Sequence, residues 1–296
     1  MTRSGLTVAL WALNLDQRLA GHDDFLGMLD SRLAAAAAGG AAVLALPEYT
    51  SAVWLNWAPD GLGAAREVGW MAGEAGRILP AIPELVRRHD VAVLAGSMPA
   101  AVPGGHRNRA RLFLPDGREV AQDKLCLTPL EREPGSWWLE PGEAIRSARW
   151  RGLRIATLIC LDIEQPALAA RLACEDVDLI LVPSQTARRS GFARVIACAQ
   201  ARAVELMCAI AVAGCIGPAG TERFSNVGGA AAFIPCEPSL GSTGRVVEKG
   251  PLETTEGHGP LAFATLPLGE IRRLREGGAE VWPGAWRADG IRIEPG

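Results

Sequence analysis

Three ionisable side chains, Glu48, Lys124 and Cys160, share one local situation: each stands just past the end of an apolar run, Ala41 to Leu46, Arg118 to Asp123 with its hairpin partner, and Ile155 to Ile159. Strand ends in an open α/β sheet collect catalytic groups, because the scaffold fixes the backbone while the loops leave side chains reachable. A thiol beside a carboxylate and an ammonium suits attack on a carbonyl or nitrile carbon. The glutamate takes the thiol proton, the thiolate attacks, and the lysine balances charge building on oxygen or nitrogen. Cys160 is followed by acidic and polar residues and then a helix-like segment, so its thiol is expected at a helix N-terminus that lowers its pKa. Taken singly, each residue reads equally as structure: a buried cysteine among seven, a loop carboxylate, a hairpin-end lysine. Lys124 is one of two lysines against 28 arginines, which points to a need for its compact charge and adjustable pKa.

The elements that must position these groups alternate between strand and helix. Leu6–Asn14 reads as a first strand, and Asp23/Asp24 as caps of a helix running to Gly39-Gly40. Strands are expected at Ala41–Leu46 and Val91–Gly96, with helices at Ala64–Ala75 and Ala81–His89 between them. A hairpin turns at Pro115-Asp116-Gly117 and returns through Arg118–Asp123 to Lys124. The loop that follows, LCLTPLEREPGSWWLEPGE, is too long and aperiodic to be a mere connection. Ala144–Trp150 and Leu153–Ile159 pair around Arg151-Gly152, Pro166–Cys174 is helical, and Val177–Val182 ends in Pro183-Ser184-Gln185-Thr186. Ser190 is expected to cap a long helix, Gly191 to Leu206. Cys208–Ala213, Gly229–Ile234, Gly244–Val247 and Leu261–Leu266 are the later strands and Leu268–Arg275 a short helix. No linker or charge block interrupts the alternation, so one layered α/β domain is expected.

A chain of 296 residues, 49% hydrophobic and 21% charged, is ordinary for a well-packed protein. The net charge of −3 without like-charge runs argues against nucleic acid or an anionic membrane as partner, and favours a small-molecule substrate. No C-x-x-C pair occurs, and the four histidines are scattered, so neither a metal site nor a disulfide framework is indicated. With no export signal and no apolar stretch of roughly 18 residues, the chain is expected in the cytoplasm.

LALPEYT, DKLCLTPLERE and LICLDIEQP, in this order and spacing, resemble the glutamate, lysine and cysteine motifs of the nitrilase superfamily of carbon–nitrogen hydrolases. ACAQARAVELMCAIAVAG resembles that family's long helix and following strand. The resemblance covers roughly residues 6 to 275 and implies an α/β fold, a four-layer α-β-β-α sandwich of the nitrilase type. It further implies Glu48 as general base, Lys124 as stabiliser of the tetrahedral intermediate, Cys160 as nucleophile, and Glu131 as a second glutamate positioning lysine and substrate. It implies no cofactor, and a homodimer or larger homo-oligomer. Residues 1–275 are then the hydrolase domain, and residues 276–296 a tail whose tryptophans are candidates to pack on a partner subunit. RSGFARVIACAQARA and SNVGGAAAFIP resemble a bacterial branch sometimes fused to an N-acetyltransferase domain. No such domain is expected here, since the chain opens on the first hydrolase-like strand.

Tyr49, Trp54, Leu161, Ser184 and Gln185 are the candidates to line the substrate pocket. The usual Cys-Tyr-Asp of the family is Cys160-Leu161-Asp162 here, and the following aromatic is absent from Glu164-Gln165-Pro166, which alters one pocket wall while keeping the Leu161 backbone N–H. Asn108, Trp137 and Trp138 are lesser candidates. Glu205 reads equally as an ion pair with Arg202 and as support for the site, and Asp162 as a helix N-terminal acid. The expected reaction is hydrolysis of an amide or N-carbamoyl group through a cysteine thioester. The alternatives are a nitrilase and a non-catalytic binding relative that keeps the fold; a Cys–His hydrolase is disfavoured because no histidine lies in a comparable motif.

Overall fold

The computed structural model describes residues 5–133, 137–220 and 224–294. Among these described residues, twelve strands form two six-stranded sheets. In the first half of the chain come β1 (Leu6–Trp11), α1 (His22–Ala38), β2 (Val43–Ala45), α2 (Ala64–Ile78), α3 (Ile82–His89), β3 (Ala92–Val102), β4 (Gly105–Phe113) and β5 (Glu119–Asp123). The second half holds β6 (Ser147–Trp150), β7 (Leu153–Thr157), α4 (Pro166–Leu172), β8 (Leu179–Ser184), α5 (Arg189–Glu205), β9 (Ala209–Gly214), β10 (Gly228–Phe233), β11 (Arg245–Leu252), β12 (Leu261–Leu266) and α6 (Leu268–Arg273). The sheet orders are β12-β1-β2-β3-β4-β5 and β11-β10-β9-β8-β7-β6. In each, three central strands run parallel, β1-β2-β3 and β7-β8-β9.

Alternation along β1 shows how the layers form. Val8 and Leu10 point into one apolar core shared with Ile180, Val182 and Ile210 of the second sheet. Ala9 and Trp11 point the other way, into a core with Phe25, Leu29 and Leu33 of α1 and Met71 and Ile78 of α2. Period-two strands buried on both faces thus join sheet to sheet on one side and sheet to helix on the other, and Phe192, Val195 and Ala199 of α5 cover the second sheet. This is the α-β-β-α sandwich expected. Each such Leu, Val or Phe removed from water contributes about 1.5–3 kcal/mol.

The structure corrects some boundaries. β3 was expected to stop at Gly96 but runs on to Val102, because a register shift between Leu94 and Ser97 absorbs the glycine as a bulge and pairing with β4 resumes beyond it. Ser190 does not cap α5: the helix starts at Arg189, so Ser190 lies inside its first turn. Glu205 takes the plainer of its two readings, an ion pair at 2.6 Å with Arg202, which is itself buried. The tail runs over its own chain, with the Trp282 indole N–H donating to the Glu205 carbonyl at 3.2 Å, and leaves Val281 and Trp286 exposed. Among the described residues no helix is long and apolar enough to cross a membrane.

Gly96 also serves the site. Its φ is +72°, and a Cβ there would lie 2.1 Å from the Pro47 carbonyl oxygen and 2.1 Å from Thr50 Oγ1. The turn carrying Glu48 therefore closes directly on this glycine. Gly96→Ala is expected to lower stability by at least about 2 kcal/mol; an unchanged urea midpoint would contradict that close approach.

Candidate active site

Two of the three strands that deliver a reactive group are followed by a left-handed residue. After β2 the chain passes Glu48 and turns at Tyr49 (φ 48°); after β7 it turns at Cys160 itself (φ 49°). Neither is glycine, so both positions carry backbone strain of order 1–3 kcal/mol that the surrounding structure must hold. At Cys160 no α-helix begins: a 3-10 turn spans Cys160–Glu164, and α4 starts only at Pro166.

These ends converge. The Lys124 Nζ lies 2.8 Å from Glu48 Oε1 and 2.7 Å from Glu131 Oε2, and all three side chains are buried. Glu131 is held on every side: it accepts from the Tyr49 hydroxyl at 2.6 Å, from the Thr128 backbone N–H at 2.8 Å and from the Thr128 hydroxyl at 2.9 Å. Asn108 on β4 donates from Nδ2 to Glu48 Oε1 at 2.9 Å, and the Gln185 backbone N–H reaches Glu48 Oε2 at 2.9 Å. Cys160 adjoins this cluster. Its thiol donates to the Gln185 carbonyl at 3.4 Å and receives the Ser184 hydroxyl at 3.5 Å.

Electrostatics sorts the roles. Burial disfavours the Lys124 ammonium, but the two carboxylates outweigh it and hold its pKa above the ordinary lysine value. Burial likewise works to raise Glu131, yet Lys124 overrides it and keeps this carboxyl below its usual range. Glu48 comes out raised, by burial first and by the Glu131 charge, with Lys124 opposing. Glu131 and Lys124 thus form the settled ion pair, and Glu48 is the carboxylate best able to take a proton. The Cys160 thiol is also raised, by burial and then by the Glu48 charge. That reverses the expectation of a lowered pKa, because burial governs a thiol at which no α-helix begins. A protonated thiol beside a raised glutamate is an arrangement for proton transfer during attack, not for a standing thiolate.

A cavity of about 370 Å³ opens over this cluster, lined by Glu48, Tyr49, Lys124, Glu131 and Gln185 together with Glu67, Trp137, Phe224 and Asn226. Tyr49, Trp137 and Phe224 meet edge to face, at centroid distances of 4.6 and 6.0 Å. The Trp137 indole N–H is anchored on Glu67 Oε2 at 3.0 Å. Of the predicted pocket residues, Tyr49 and Gln185 line this cavity, and Ser184 lies beneath the thiol. Trp54 does not contribute: it is buried against Phe25 at 5.6 Å in the core under α1, because its 3-10 turn faces the ring inward. Leu161 takes no part in the cavity wall either, since the turn after Cys160 directs it elsewhere. Within the long loop after Lys124, residues 134–136 lie outside the described residues.

Asp162 does more than its expected role. It accepts from the backbone N–H groups of Leu125 (3.1 Å), Cys126 (2.7 Å) and Ile159 (3.1 Å), tying the exit of the lysine strand to the entry of the cysteine turn. Burial pushes its carboxyl up to about 6 against those three donors. Asp162→Ala strands all three N–H groups and is expected to cost about 3 kcal/mol, with Asp162→Asn intermediate because one oxygen remains. Urea unfolding of the pair tests this; an alanine variant as stable as wild type would overturn the clamp.

Among the described residues no group of His, Cys, Asp and Glu could hold a metal ion. A model of the carbon-nitrogen hydrolase family matches residues 7–276. The probable hydrolase YhcX of Bacillus subtilis is 33% identical over 199 residues, 66% of this chain and 37% of that protein. An (R)-stereoselective amidase from a Pseudomonas species is 34% identical over 107 residues, 36% of this chain and 37% of that enzyme. The chain therefore spans little more than a third of the length of these two relatives. In fold it matches an amidase from Nesterenkonia sp. with a TM-score of 0.65 at 22% identity, covering 93% of this chain and 95% of that one.

Proposed function

Because the chain belongs to the carbon–nitrogen hydrolase family, we propose that it hydrolyses amides of small acyl groups through a thioester on Cys160. The observation that carries this reading is the Lys124 ammonium held between Glu48 and Glu131, next to the thiol and at the floor of an open cavity. Glu48 takes the Cys160 proton as sulfur bonds to the carbonyl carbon. The carbonyl π electrons move to oxygen, where Lys124 offers its charge. Collapse expels the amine, which receives the proton from Glu48 and leaves a thioester. Glu48 then takes a proton from water, whose oxygen attacks the thioester, and the proton returns to sulfur as the acid departs.

Glu131 is a positioning residue in this account, with both oxygens committed to Lys124, Tyr49 and Thr128. The matched motifs also support placing the chain in the bacterial branch noted above. Ammonia release from a panel of primary amides tests the activity, with the corresponding nitriles alongside. Release from amides but not nitriles is expected, and no release from any amide would overturn the reading.

A further inference from the structure

The cavity wall holds a polar atom that the mechanism does not use. Asn226 is 1% exposed and lines the cavity. Its Nδ2 donates to two backbone carbonyls, Gly217 at 2.8 Å and Phe224 at 3.4 Å. Both partners are acceptors, so the amide cannot turn over, and Oδ1 is the end left free to receive a hydrogen bond. That Oδ1 is buried and has no hydrogen-bond partner among the described residues. An orphaned buried acceptor has given up its hydrogen bonds to water without replacement, and such groups are few in folded proteins.

Its neighbour across the wall is Gln185. The two segments are joined by Val227 N–H to the Thr186 carbonyl at 2.8 Å and by the Thr186 hydroxyl to the Val227 carbonyl at 2.6 Å. Gln185 already adjoins the chemistry, through its backbone N–H on Glu48 and its carbonyl on the Cys160 thiol. Its side-chain Nε2 is buried and unpartnered as well. An unpartnered Asn226 Oδ1 and an unpartnered Gln185 Nε2 thus belong to adjoining segments that line one cavity.

We propose that Asn226 reads the acyl part of the substrate, and that the preferred amides carry an O–H or N–H donor there, close to the scissile carbonyl, which Asn226 Oδ1 receives beside Gln185. This rests on the amide-hydrolase reading above and names its substrate class. A site built around a buried acceptor rejects an isostere that lacks the donor, because the acceptor is then left unpaired.

Three size-matched amides separate the cases: propanamide without a donor, lactamide with a hydroxyl, and alaninamide with an ammonium. Wild type is expected to favour lactamide, alaninamide or both over propanamide by about 10-fold or more in kcat/KM, and whichever is favoured identifies the donor. Asn226→Leu is expected to bring that ratio close to one. Equal kcat/KM for all three in wild type would overturn the proposal, and this comparison decides even if the variant does not fold. Equal losses on all three amides in a folded Asn226→Leu would also overturn it, since a residue that serves only structure or touches only the scissile amide would act so. If propanamide is hydrolysed as well as the others, this inference alone fails; if no amide at all is hydrolysed, the amide-hydrolase reading fails and takes it along.

Discussion

Cys160→Ala is expected to lose turnover of every amide by about 10⁴-fold or more while keeping its fold. The size of the effect follows from the chemistry: without sulfur there is no acyl intermediate, and the remaining groups only position and polarise. The fold should survive because the thiol makes two weak hydrogen bonds, to Gln185 and Ser184, and alanine fills most of its volume. Relief of the left-handed backbone does not follow, since alanine is no better suited than cysteine to φ 49°. Measured kcat/KM alongside the urea midpoint separates the two. A folded variant with a tenth of wild-type activity would remove Cys160 from the chemistry.

Lys124→Met should fail in both respects. The change takes one cation out of a buried cluster and leaves Glu48 and Glu131, 1% and 3% exposed, facing each other without it. Breaking a buried pair in this way costs about 3–5 kcal/mol, and losing the group that faces the developing oxyanion costs a further 10²- to 10³-fold in kcat. The loss of stability has a pH signature whose sign can be worked out. In wild type Lys124 holds Glu131 below the ordinary glutamate value of 4.5, so its contribution is present above that pH and fades as pH falls through the lowered value. In the variant the two carboxyls lose their cation and are raised instead, so the folded state prefers one proton and loses stability as pH rises above about 4.5. The gap between wild type and variant should therefore widen from acidic to neutral pH. A gap independent of pH would mean that Lys124 is held for packing alone.

The reactive groups were legible because each obeys a local rule: a strand-like run, then an ionisable residue just past its end. Glu48, Lys124 and Cys160 need only that rule, and the ordered motifs around them, to be found. What escaped was set by distant pairing. Asp162 reads locally as a helix acid, yet its partners at Leu125 and Cys126 lie 36 or 37 residues away, on the exit of another strand. Asn226 follows a turn and carries no local signal; its significance comes from two carbonyls that consume its donors and from a cavity built by other segments.

The misreadings have physical causes of the same kind. An aromatic residue in a loop beside the site looks like a pocket wall, but which way it faces depends on the turn, and the 3-10 turn after Tyr49 sends Trp54 into the core. The thiol was expected at a helix N-terminus because polar residues follow it. A 3-10 turn at Cys160 puts the helix start six residues later, at Pro166, and burial then governs the thiol. Gly96 looked like the end of a strand and is a bulge within one, a distinction that only pairing with β4 can make.

The most direct test of the account is the mass of the enzyme during turnover. An amide with an activated anilide leaving group makes acylation fast, so the thioester accumulates and acid quenching preserves it. Intact-mass and peptide analysis should then show one added acyl group, carried on Cys160 and absent from Cys160→Ala. Turnover with no adduct on Cys160, or with the acyl group on another residue, would contradict the proposed chemistry.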